Sequence, residues 1–123
     1  MPRVVHFEIN ADQPERAVRF YRESFGWDIN LWDGPQPYWL AATGPEEQPG
    51  INGAIMPRSQ GNSTVVTIDV PDIDEALARI AAAGGKAITG KMPIPGVGTM
   101  AYCVDTESNV FGVMQADPGA PGM

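Results

Sequence analysis

Residues 4–9 (Val-Val-His-Phe-Glu-Ile) place apolar and polar side chains in near alternation over a β-branched and aromatic run, a period of two that predicts a strand. The period then lengthens. Pro14, Ala17, Val18, Tyr21 and Phe25 stand at offsets 0, 3, 4, 7 and 11, the apolar stripe of an amphipathic helix. Asp12-Gln13-Pro14-Glu15 reads as its capping box and Gly26 as its stop. Glu15, Arg19 and Glu23 follow one another at i,i+4 on the other side, the pattern of a solvated face. Three more strands are expected at residues 27–32, 38–43 and 51–56, with Gly34-Pro35 and Gly44-Pro45 supplying the turns between them.

The whole scheme then returns 59 residues later without a gap. His6-Phe7-Glu8-Ile9 falls on Val65-Val66-Thr67-Ile68, Ala17-Val18 on Ala76-Leu77, Tyr21 on Ile80, Gly26 on Gly85, and Gly53 on Gly112. In the second half, residues 64–70 predict a strand and Asp72-Ile73-Asp74-Glu75 a capping box. Ile73, Ala76, Leu77, Ile80 and Gly84 repeat the helical stripe, and strands are expected near 86–89, 99–104 and 109–115. Each half is therefore βαβββ. One such unit leaves a sheet face uncovered, which explains why two occur together.

The predicted fold is α+β: two tandem βαβββ modules forming a cupped mixed β-sheet, with one helix per module on the outer face. The expected organisation is a single domain over residues 1–116, with module one at about 3–57, a linker at 58–62 and module two at about 63–116. The Pro- and Gly-rich residues 117–123 are expected to be a disordered tail. With helices packed on Phe7 and Ile9, and on Val66, Ile68 and Val70, alternation turns His6, Glu8, Val65, Thr67 and Asp69 to the opposite face. Polar residues on that side of central strands predict a wet cleft there.

Composition narrows the partners. Eight Lys and Arg against fifteen Asp and Glu give a formal charge of −7, which argues against nucleic acid and anionic membrane as partners. No run approaches the ~18 consecutive apolar residues of a membrane span, and the first residues show no apolar leader. Cys103 is the only cysteine, so no internal disulfide can form and a cytoplasmic location is expected.

Four motifs carry a resemblance to a known family: Val-Val-His-Phe-Glu-Ile at 4–9, Ala-Val-Arg-Phe-Tyr-Arg-Glu-Ser-Phe-Gly-Trp at 17–27, Val-Pro-Asp-Ile-Asp-Glu-Ala at 70–76, and Asp-Thr-Glu-Ser-Asn-Val-Phe-Gly at 105–112. Together they resemble the vicinal oxygen chelate superfamily, which includes glyoxalase I, bleomycin-resistance proteins and extradiol dioxygenases. In the last motif Thr106 and Ser108 replace the family's usual Pro and Gly. The resemblance implies one divalent metal held between the modules by ligands from the first and last strand of each. Carried over position by position, those sites fall on His6, Val65, Gly53 and Gly112. Only His6 can ligate, whereas a catalytic site needs about three protein ligands. No metal is therefore expected, and the two glycines suggest vacant volume for an organic ligand.

His6 and Glu8 are the candidate catalytic pair, with a neutral, inherited histidine as the bland alternative; for Glu8 that alternative is an ion pair or a position facing water. Trp32, Tyr38, Trp39, Met100, Tyr102, Phe111 and Met114 concentrate in strand regions expected to border the cleft. Alternation requires Tyr38 and Trp39 to face opposite ways. The candidate ligand-binding set is Val65, Thr67, Trp32, Tyr38, Met92, Met100, Tyr102 and Met114. Residues 91–98 (Lys-Met-Pro-Ile-Pro-Gly-Val-Gly) form the most unusual loop and are expected to rim the cleft. Cys103 reads as a small buried hydrophobe. The expected function is metal-free binding of a small, partly apolar or aromatic molecule by a homodimer. The alternatives are a lyase, isomerase or dioxygenase of glyoxalase type using one divalent metal ion, and a metal-free acid–base enzyme using His6 and Glu8. Whether any reaction is catalysed stays open.

Overall fold

The computed structural model describes residues 2–59 and 61–118. Two compact units emerge, one from His6 to Val65, the other from Val66 onward with the start of the chain. In the first, β1 (Arg3–Ala11), α1 (Pro14–Phe25), β2 (Asp28–Leu31), β3 (Trp39–Ala42) and β4 (Gly53–Pro57) give the strand order β2-β3-β4-β1. β1 and β4 run parallel and the other pairs antiparallel. In the second, β5 (Thr64–Asp69), α2 (Ile73–Ala82), β6 (Lys86–Ala87), β7 (Met92–Ile94), β8 (Gly98–Val104) and β9 (Val110–Ala116) give β5-β9-β8-β6, with β7 also on β8. The strand–helix–strands scheme is thus present twice, as the repeat predicts. β7 is an addition: residues 91–98 form a hairpin rather than a plain loop. Pro95 and Gly96 (φ 76°) sit at its turn, closed by Val97 N–H to the Ile94 carbonyl.

Each helix packs on one face of its own sheet. In the first unit Val18, Ile29, Ala41 and Ile55 are buried together, with Ile9, Ala17, Tyr21, Trp27 and Trp39 against them. In the second, Val70, Ile73, Ala101, Cys103 and Val113 form the buried set, with Ile68, Leu77, Ile80 and Phe111 around it. The predicted stripes therefore face inward, apart from Gly84, exposed beyond the end of α2, and Phe25, which is 64% exposed at the helix end and stacks on Tyr21. Val66, expected beneath α2, is also exposed. Trp39 and Phe111, grouped with the aromatics of strands expected to border the cleft, belong to these helix-side cores; for Trp39 this is the facing opposite to Tyr38 that alternation requires.

The two helix starts differ. Asp72 caps α2 as predicted, its carboxylate accepting from Glu75 N–H at 3.0 Å. α1 has no such cap: its N-cap residue is Gln13, without a side-chain bond, and Asp12 pairs instead with Arg58 at 2.8 Å. Pro14 at the first turn needs no acceptor for its nitrogen, which lowers the number of orphan donors. Gly26 ends α1 in the left-handed conformation (φ 70°), as expected. The linker is tied down by Asn10, whose backbone N–H and side-chain amide both donate to the Ser63 carbonyl. Of the expected disordered tail, residues 119–123 lie outside the described residues; Asp117 N–H donates to the Val97 carbonyl.

Candidate functional site

Alternation along β1 turns His6, Glu8 and Asn10 to the face opposite α1, and all three are about 95% buried. Glu8 is not open to water, one of the two bland readings of it. Its Oε2 accepts a 2.8 Å hydrogen bond from the Tyr38 hydroxyl, and the same hydroxyl lies 2.7 Å from His6 Nε2. Tyr38 immediately precedes β3, and the strand's alternation sends Trp39 to the core and Tyr38 to the His6 side, as predicted. Trp32 meets Tyr38 edge-on at 5.8 Å between ring centres. Four predicted site residues of the first unit therefore converge: His6, Glu8, Tyr38 and Trp32.

Burial pushes the His6 pKa down to about 4, because a charged imidazole there would lose its hydration. The ring is neutral at pH 7. A phenol carries one hydrogen; with Tyr38 donating it to Glu8, its oxygen is set to accept from His6 in the tautomer that carries hydrogen on Nε2. The result is a directional chain from imidazole to phenol to carboxylate.

The second unit gathers the other candidates. Thr67 pairs with Gly112, which lies opposite Tyr102, and Met92, Met100 and Met114 stand in register across β7, β8 and β9. Met100 and Met114 are buried, as are Thr67 and Val65. A Cβ placed on Gly112 would touch Thr67 Oγ1 at 3.4 Å, Met100 Cε at 3.5 Å and Tyr102 Cε1 at 3.7 Å, all ordinary contacts.

Gly53 is a different case, and the expectation of vacant volume there is wrong. Glu8 faces Ala54 in the parallel register, whereas Phe7 faces Gly53. Module one carries one residue more than module two between its first and last strands, so the gapless repeat slips by one in β4. A one-residue slip exchanges faces. Gly53 lies on the helix side, where an added Cβ would stand 2.5 Å from the Phe7 ring and carbonyl. The structural counterpart of Gly112 is Ala54, a residue that sequence reasoning missed; only the paired register reveals it.

The residues present do not fit a divalent ion. Ala54 and Gly112, facing Glu8 and Thr67, offer no donor atom. His6 Nε2 is engaged by Tyr38, and among the described residues no group of three or more His, Cys, Asp or Glu could hold a metal. Cys103 is fully buried in the helix-side core and burial raises its thiol pKa, so it is an inert hydrophobe. No helix among the described residues is long and apolar enough to cross a membrane.

Residues 3–113 match the family model of the Glyoxalase/Bleomycin resistance protein/Dioxygenase superfamily. The chain is similar to a protein provisionally named glyoxylase CFP32 in Mycobacterium bovis and Mycobacterium tuberculosis, at 30% identity over 115 residues. The match covers 90% of this chain and 43% of each relative, so the chain spans less than half their length. Among solved structures it is similar to hypothetical protein BH1468 from Bacillus halodurans C-125 (TM-score 0.71, 16% identity, 98% of this chain and 99% of that one). It is also similar to a methylmalonyl-CoA epimerase in complex with methylmalonyl-CoA and NH4+ (TM-score 0.72, 10% identity, 100% and 99%). Identities this low speak for the fold alone. With nine-tenths of its length matched by the family model, this chain is a member of the Glyoxalase/Bleomycin resistance protein/Dioxygenase superfamily, the vicinal oxygen chelate group.

Proposed function

We propose that the chain binds a small, partly apolar or aromatic molecule without a metal ion, on the sheet face that carries His6, Tyr38 and Glu8. One observation carries this reading: the imidazole nitrogen that could serve a metal is bonded to the Tyr38 hydroxyl, beside a last-strand position occupied by Ala54. Leu40 and Ala54 lie in register with Glu8, so an apolar floor adjoins the polar relay. The active form proposed is a cytoplasmic homodimer.

The test is a ligand screen by thermal shift and calorimetry on protein stripped with a chelator. A binder of this kind keeps its affinity after chelation and loses about tenfold on His6→Ala, as for one lost hydrogen bond to the ligand. Affinity that vanishes with the chelator and returns with Zn2+, Ni2+ or Mn2+ would refute it.

The directional relay favours a second reading, a metal-free acid–base enzyme in which His6 exchanges a proton with substrate. Here His6→Ala would abolish turnover while leaving the fold intact.

A further inference from the structure

We propose that Tyr38 is a positioning residue that locks His6 as the Nε2–H tautomer, so that Nδ1 is a hydrogen-bond acceptor and the site selects ligands bearing a neutral hydroxyl or N–H donor on a flat apolar body. This rests on the small-molecule reading above and gives its ligand a chemistry.

With the single phenolic hydrogen of Tyr38 directed to Glu8 Oε2 at 2.8 Å, the phenolic oxygen accepts from the imidazole at 2.7 Å when the ring carries its hydrogen on Nε2. A neutral imidazole with its hydrogen on Nε2 presents a bare lone pair at Nδ1. No hydrogen bond engages Nδ1 among the described residues, yet no buried side-chain nitrogen or oxygen among them lacks a partner. Both statements hold together when Nδ1 keeps some exposure at the edge of the buried ring, the side from which a ligand would have to approach. A ligand that offers only acceptors would confront that lone pair unpaired, and an unsatisfied buried acceptor is costly. The apolar body follows from the neighbours: Trp32 flanks Tyr38, and Ala54 and the half-exposed Leu40 continue the row from Glu8.

His6 is the only histidine, so its ring can be read without assignment ambiguity. Long-range 1H–15N correlation of the labelled full chain at pH 7 should show one neutral tautomer, protonated at Nε2. In Tyr38→Phe, which keeps the ring packing, the Nδ1–H tautomer should become populated while the amide spectrum stays dispersed. A wild-type ring protonated at Nδ1, or a tautomer unchanged by Tyr38→Phe, would overturn the lock; the wild-type spectrum decides even if the variant fails to fold. For the ligand rule, phenol and anisole are titrated as probes of nearly equal ring surface. Phenol should bind about tenfold tighter and move the Nδ1 resonance. Equal binding would overturn the donor rule alone, whereas failure of both to shift any resonance would overturn it together with the small-molecule reading.

Discussion

The Tyr38 hydroxyl bridges to His6 Nε2 at 2.7 Å, and this one contact fixes how the sole imidazole of the chain can be used. A nitrogen so engaged is not a free metal ligand unless Tyr38 is displaced. The same hydroxyl donates a hydrogen bond to Glu8, which explains how a carboxyl group, a phenol and an imidazole coexist in a buried place.

That arrangement makes stability depend on acid. In the fold the His6 pKa is pushed down to about 4, against 6.5 in an unfolded chain. Between those values the unfolded state binds a proton that the fold refuses. The contribution of His6 is therefore complete above pH 6.5, shrinks as the pH falls, and is exhausted near pH 4. Its size is at most about 3 kcal/mol. Urea denaturation across pH 4–7 should show this slope, and His6→Gln should flatten it.

The two glycines once grouped as equivalents should behave differently. Gly53→Ala forces a methyl group to within 2.5 Å of the Phe7 ring and carbonyl and should cost about 1–3 kcal/mol. Gly112→Ala meets only ordinary contacts and should stay within about 1 kcal/mol of wild type. Chemical denaturation of both variants distinguishes the observed register from the gapless one, under which they would respond alike.

Helix starts offer a matched pair. Removing the Asp72 cap with Asp72→Ala should cost about 1 kcal/mol. Gln13→Asp should gain a few tenths to about 1 kcal/mol, because α1 lacks any side-chain cap. Thermal melts read both signs directly.

Ser108 holds a left-handed backbone (φ 65°) in the turn before β9, where the family usually has Gly. Asp105 secures that turn: its carboxylate accepts from the backbone of Asn109 and of Glu107 and from the Asn109 side chain, which together lower its pKa. Ser108→Gly should relieve the strain and raise stability by about 0.5–1 kcal/mol, visible as a higher denaturation midpoint.

How far the chain could be read from its sequence follows from which forces are local. Strand and helix periods are local, so the elements, the Gly26 stop and the Asp72 cap were legible, and so were the opposite faces of Tyr38 and Trp39. Register is not local. One extra residue in module one moved Gly53 to the helix side and put Ala54 in its place, and no side-chain pattern in a short strand of small residues announces such a slip. The Asp12 capping box failed for a related reason: Arg58, 46 residues away, pairs with that carboxylate. Tyr38 was visible as an aromatic near the site, yet its bonds to His6 and Glu8 join residues about 30 apart and depend on pairing between strands.

Elemental analysis of freshly purified protein, with a His6→Ala control, bears most directly on an imidazole committed to Tyr38. The result predicted is far less than one equivalent of Zn, Ni, Mn or Fe per chain, the same in both proteins. One equivalent that disappears on His6→Ala would contradict it.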